Sequence, residues 1–286
     1  MNRCKSLEGA LDSYLSDHLG LSTGYRYLLA RAVAHFARWH RTPILLATLR
    51  RETIIAFMRA ELAEGLSAVT VNGKRRALLT LLRAARLKVG RVPRVPEPIG
   101  LPQAWTLQEC ESIFSACATL SGHVGSLSAS DWWLSLTVAI YYTGERIKAM
   151  RSIRSADCDL SVGTLIVRAR SHKSRADRLL WIPEQAAELI QRIHDPRREL
   201  LWPWPSHRNT LFKQFRRIIE AAGVPCPRGG HNLFRRLRRT TGTLVEAAGG
   251  DGARMLGNSR AVFERYYLDP RMAAKSQARL LPTPHL

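Results

Sequence analysis

From Thr23 onward Tyr25, Leu28, Leu29, Ala32, Val33 and Phe36 recur at three- and four-residue spacing, which places them on one stripe and predicts a helix to about His40. Pro43 interrupts the pattern, and a second helix carries Ile54, Ile55, Met58 and Leu62, with Thr48 as its expected cap and Gly65 as its stop. A third helix is predicted from Thr70 through Leu78, Leu81, Leu82 and Ala85, and its other face holds Lys74, Arg75, Arg76 and Arg83. Pro93, Pro96, Pro98 and Pro102 then remove backbone donors and stiffen the chain. They predict a linker over 93–102 between a helical domain, 1–92, and a second domain, 103–286.

Beyond the linker Thr106 and Glu109 have the spacing of a capping box that opens a helix to about Ala118, and an apolar helix follows from about Ser130 to Tyr142. Leu165 to Arg170 and Arg178 to Ile182 read as strands joined by the polar turn Ser171 to Asp177, a β-hairpin. Pro183 starts another helix, Trp202 to Pro205 is irregular, and Thr210 to Ala222 is a basic helix. The chain from Asn232 is helical again, with a break at Gly249, Gly250 and Gly252. The fold class is therefore mainly α with a small β-hairpin, an α+β arrangement.

Charge narrows the function. Among 286 residues, 44 Lys and Arg face 23 Asp and Glu, a net +21, while 45% hydrophobic content excludes wholesale disorder. Such a surplus repels itself in the folded state and is best neutralised by a polyanion, so double-stranded DNA is the first partner to consider. The basic stripe Lys74, Arg75 and Arg76 is the candidate DNA-binding face. The longest apolar stretch, Trp132 to Tyr142, is 11 residues, short of the roughly 20 that span a bilayer. No membrane association is expected. The N-terminal residues lack an apolar signal core, which points to the cytoplasm and association with the nucleoid. Five cysteines without a CxxC pair argue against a zinc finger or a disulfide framework.

Four strings carry candidate chemistry. Thr143-Gly144-Glu145-Arg146 puts an arginine at a helix start; Lys173 lies in the hairpin turn; Phe234-Arg235-Arg236-Leu237-Arg238-Arg239-Thr240 presents Leu237 inward with arginines fanned outward; Leu256-Gly257-Asn258-Ser259 precedes Tyr266-Tyr267. Each is weak alone, but their order and spacing resemble the tyrosine recombinase, or phage integrase, family over the whole length. The resemblance implies a helical core-binding domain, to which Leu66 to Asn72 is similar, followed by a catalytic domain. It also implies a homotetramer acting on two DNA sites, exchanging a C-terminal segment such as Ala273 to Leu286. No metal or nucleotide cofactor is implied. Arg146 is then the first arginine, Lys173 the hairpin lysine, Arg238 the second arginine and Tyr267 the nucleophile, with adjacent Tyr266 as the alternative.

Three positions depart from the family pattern. Arg235 stands where a histidine usually precedes the second arginine, Asn258 replaces the later histidine, and Ala149 occupies the place of a supporting carboxylate. His231 and His172 do not match the motif. In the implied reaction two arginine forks stabilise the phosphoryl charge, Lys173 protonates the departing 5′ oxygen, and Tyr267 forms a 3′-phosphotyrosine bond. Asn258 can donate to phosphate but cannot act as a base, and Arg235 stays protonated. The sequence thus carries two expectations: a DNA strand-transfer enzyme of reduced activity, or a weakened relative that binds DNA without cutting it.

Overall fold

The structure, a computed structural model, describes residues 6–41, 43–171, 176–226 and 233–273. Lys173, His172 and His231 lie outside the described residues, as does the C-terminal segment beyond Ala273. The chain divides into two compact units, Met1–Ile99 and Gly100–Leu286.

The first unit is a bundle of α1 (Leu7–Asp17), α2 (Thr23–His40), α3 (Arg51–Ala63) and α4 (Ala68–Ala84). Leu29, Val33 and Phe36 of the predicted stripe are buried against Phe57 of α3 and Leu78 and Leu81 of α4. Phe36 and Phe57 meet edge to face at 5.0 Å between ring centres. Each such ring contributes roughly 1.5–3 kcal/mol by leaving water. Two predicted starts were displaced. Thr48 sits in a 3-10 turn, Leu46–Thr48, where its hydroxyl donates to the Leu45 carbonyl, so α3 begins at Arg51 instead. Burial of Leu46 and Leu49 sets that turn. α4 begins ahead of Thr70 because Ser67 accepts from the Thr70 N–H and caps it. Helix α1, which the periodicity did not mark, is capped by Ser6.

The proline-rich segment is not free of this unit. Buried Asn72 donates to the Val95 carbonyl at 2.8 Å and to Glu97 at 2.7 Å, and accepts from the Val95 N–H at 3.0 Å. One amide thereby replaces the ladder partners that an extended strand lacks. The unit boundary falls two residues after Glu97.

The second unit is organised around α6 (Ala129–Thr143), which is apolar on all faces and buried along most of its length. Around it lie α5 (Leu107–Ala118), α8 (Glu184–Gln191), α9 (Arg208–Ala221) and α10 (Leu233–Ala247). The capping box of α5 forms as predicted between Thr106 and Glu109. Trp133, Phe215 and Phe234 stack in one core, with Trp132 and Trp204 at its edge. An all-round apolar helix has no solvated face to offer and so becomes the centre of its domain. A two-strand ribbon, β1 (His123–Val124) and β2 (Leu127–Ser128), precedes it.

The predicted hairpin is the larger part of a three-stranded antiparallel sheet, β3 (Cys158–Asp159), β4 (Thr164–Val167) and β5 (Arg178–Trp181). Val167 pairs with Arg178, and the first strand ends earlier than predicted, giving way to a 3-10 turn at Ala169–Ser171. After Arg146 comes the single turn α7 (Ile147–Met150). After α10 come α11 (Gly252–Met255), α12 (Arg260–Tyr266) and α13 (Pro270–Ala273).

Candidate active site

Gly144 ends α6 with φ +60°, and a Cβ there would stand 2.5 Å from the Leu256 side chain. Glycine is therefore required twice over, for the left-handed backbone and for the close approach. The turn it makes aims Arg146 away from α6 and leaves Arg146 as the N-cap of α7. Its side chain is about one-third exposed.

Arg238 corrects the picture of arginines fanning outward from Leu237, because it is turned into the protein with 2% of its surface exposed. Its Nη1 donates to the Gly144 carbonyl and its Nη2 to the Leu256 carbonyl. Burial first, and then the neighbouring Arg146, lower its pKa to about 10. It remains a cation at neutral pH. Those two carbonyls belong to the turn before Arg146 and the turn before Asn258, so a single guanidinium fixes both.

Tyr267 lies against this cation. Its ring is 5.5 Å from the Arg238 guanidinium and 5.6 Å from that of Arg235. Burial alone would raise the phenol, but Arg238, Arg235 and Arg146 together bring it below its ordinary value. The segment is pinned on both sides. Thr243 donates to the Tyr267 carbonyl at 3.2 Å and accepts from the Asp269 N–H at 3.0 Å. Buried Asp269 accepts from the Ala104 N–H at 2.9 Å and from Arg271. Tyr266 points elsewhere: it is 37% exposed, with Arg265 over its ring, and its carbonyl accepts from Arg239 at 2.8 Å.

The fold thus brings Arg146, Arg235, Arg238 and Tyr267 together. Asn258 follows the Leu256 carbonyl by two residues, and its Nδ2 is buried with no hydrogen-bond partner among the described residues. A buried amide donor without a partner leaves one hydrogen bond to be supplied from outside. Ala149 is buried in the apolar core, as its side chain dictates.

Sequence reasoning missed Glu145 and Arg178. Glu145 is completely buried, accepts from the Arg146 N–H at 2.8 Å and pairs with Arg178 at 2.7 Å. Its one signal is an acidic residue inside an otherwise apolar helix-to-turn junction.

The stripe on α4 needs correction. Lys74 is turned inward, where its Nζ pairs with buried Glu61 and lies 2.9 Å from the His35 ring nitrogen. Arg75 is half-buried and donates to the Val92 carbonyl. Arg76 and Arg83 are exposed. A lysine that already has its carboxylate neutralises no external phosphate.

No protein-family model matches the chain, and no curated protein matches its sequence. Solved structures do match it. The Tn1549 transposon integrase, solved with a circular-intermediate DNA, superposes with a TM-score of 0.70 at 13% identity, covering 97% of this chain and all of that one. The XerH site-specific recombinase on palindromic difH gives 0.69 at 18% identity, over 96% of this chain and 84% of that one. Lambda integrase, as a tetramer on a Holliday junction, gives 0.64 at 17% identity, over 94% and 79%. Over nearly its whole length, then, this chain has the fold of the tyrosine recombinases and integrases.

Proposed function

We propose that the protein is a DNA strand-transfer enzyme, a site-specific recombinase or integrase that cuts and rejoins strands through a 3′-phosphotyrosine bond. The observation that carries this reading is the placement of Tyr267 against buried Arg238, with Arg235 and Arg146 beside it. Among the described residues Glu145 is the buried carboxylate that faces Arg146 and Arg238, and a phosphodiester would add the anion that the two guanidinium forks can hold in common. The Tyr267 oxygen attacks phosphorus, the bond to the 5′ oxygen breaks, and Lys173 delivers the proton that oxygen needs. Arginines that lower the phenol pKa ease loss of its own proton to solvent, since neither Arg235 nor Asn258 is a base. Return attack by a 5′ hydroxyl reverses the step without ATP, because the phosphotyrosine conserves the phosphodiester bond.

The 1–92 domain holds the duplex through its exposed arginines, and four protomers act on two sites. The DNA in the Tn1549 and XerH structures and the tetramer of lambda integrase support substrate and assembly. A DNA substrate fits a cytoplasmic, nucleoid-associated protein. The second reading, a DNA-binding relative that does not cut, draws on Arg235 and Asn258 in place of histidines.

Protein-linked DNA recovered from cells defines the attached strand, and a duplex of that sequence nicked near the cleavage point then traps adducts in vitro. Wild type and Tyr266→Phe should form adduct while Tyr267→Phe forms none yet still binds. Adduct that persists in Tyr267→Phe and vanishes in Tyr266→Phe moves the nucleophile by one residue. No protein-linked DNA from cells, together with tight duplex binding by the purified protein, establishes the second reading.

A further inference from the structure

A carboxylate buried to the last ångström is held only by strong pairing, and the partners of Glu145 are unusual. Its Oε1 accepts from the Arg146 N–H and lies 3.9 Å from the guanidinium nitrogens of both Arg146 and Arg238. Its Oε2 takes the Nη1 of Arg178 at 2.7 Å. The second nitrogen of Arg178 donates to the Met255 carbonyl, while Arg238 holds the next carbonyl along, that of Leu256. Two arginines that face one carboxylate thus grip two consecutive peptides of the turn that leads to Asn258. Arg178 is also the first residue of β5. Meanwhile Ala149 leaves the usual place of a supporting acid empty of charge.

We infer that Glu145 is a positioning residue for strand transfer, an acidic partner relocated to the residue before the first arginine. Arg178 is its clamp, tying the first residue of β5 and the turn of Asn258 to the same carboxylate. The inference rests on the strand-transfer reading. Glu145 sets the direction of the Arg146 and Arg238 forks, which both lie 3.9 Å from its carboxylate, and offsets part of the positive charge at Tyr267. Among the described residues the charged groups facing that phenol are Arg235, Arg238 and Arg239 from α10 and Arg146 from the turn before α7. Glu145 acts on it through Arg238. Removing the anion leaves those cations uncompensated, so the phenol deprotonates at lower pH even as the forks lose their alignment.

The test uses the full chain and the nicked duplex described above, with single-turnover adduct formation followed from pH 6 to 10. Wild type, Glu145→Gln, Arg178→Lys and Tyr267→Phe are compared, with DNA affinity and thermal melting for each. Glu145→Gln should lower the plateau rate by about 10–100-fold, leave DNA affinity unchanged and move the rise of rate with pH to lower pH. A plateau within twofold of wild type overturns the inference. A slower plateau with an unmoved pH midpoint also overturns it, since that is what a merely structural role gives. If Glu145→Gln fails to fold, Arg178→Lys decides. A lysine keeps the charge but cannot serve Glu145 and Met255 in the same fork geometry, so about a tenfold slower plateau at unchanged affinity is expected, and a wild-type plateau overturns the clamp. Absence of adduct from wild type itself removes the strand-transfer reading, and this inference with it. Adduct from wild type, lost in Tyr267→Phe, keeps that reading whatever Glu145 does.

Discussion

Helices α4 and α10 look alike in sequence, each an apolar stripe backed by a run of basic residues, yet they treat their cations in opposite ways. On α4, Lys74 is matched by Glu61 with His35 beside it, and Arg75 is spent on the Val92 carbonyl. On α10, buried Arg238 is satisfied mainly by carbonyls, and its nearest carboxylate, Glu145, is 3.9 Å away and shared with Arg146 and Arg178. Carbonyls accept hydrogen bonds without cancelling charge. The first arrangement neutralises a buried cation and stabilises a bundle, whereas the second stores net positive charge beside a tyrosine and waits for an anion.

The sharpest way to break the contrast is Arg238→Ala. It should slow adduct formation by about 10²–10³-fold, the loss typical of a removed charge-stabilising donor. It should also destabilise the second unit, since each orphaned carbonyl costs about 1–3 kcal/mol. Single-turnover rates and urea unfolding check both parts, and a variant that loses only DNA affinity would place Arg238 outside the chemistry. Next in size is Lys74→Met, which strands Glu61 as a buried charge at a cost of about 3–5 kcal/mol. Adding Glu61→Leu should restore most of that stability, because an apolar pair replaces the ion pair without an unpaired group.

A smaller effect comes from Asp269. Burial would raise its carboxyl, but the hydrogen bonds from Arg271 and the Ala104 N–H hold it below the ordinary value. A depressed folded pKa means that the stabilisation is complete above the unfolded value near 3.9 and is lost as pH falls through the folded one. Unfolding free energy measured from pH 6 down to 2 should therefore drop less steeply in Asp269→Asn. The smallest change in stability is expected for Arg76→Glu, on the exposed part of α4. Its effect belongs to binding: if Arg76 neutralises one phosphate, neutral Arg76→Gln should reduce the slope of log affinity against log salt by about 1, while Lys74→Met leaves that slope unchanged.

The apolar stripe made α2 legible, the long apolar run made α6 legible, and the proline at its start marked the helix after Pro183. Helix starts were less legible where two caps competed, as Ser67 with Thr70. Arginine orientation was not legible at all. A guanidinium on a long apolar stem is served equally by water, by a carboxylate or by a carbonyl across the domain, and nothing local distinguishes Arg238 from Arg239. The order of Arg146, Arg238, Asn258 and Tyr267 did carry the resemblance. Glu145 stayed hidden because an acid next to an arginine ordinarily marks a solvated pair. Only the packing of α10 against α6 and of the Leu256 turn against Gly144 reveals its burial.

The tie between Asp269 and the Ala104 N–H joins the stretch after Tyr267 to the first residues of its own unit, 165 positions earlier. Tyr267 therefore meets Arg238 and Arg235 of the same polypeptide, and on the strand-transfer reading the tyrosine and the arginines that act on one phosphate come from one subunit. A mixture of Tyr267→Phe and Arg238→Ala chains should accordingly show no complementation, for neither can lend its missing part to the other.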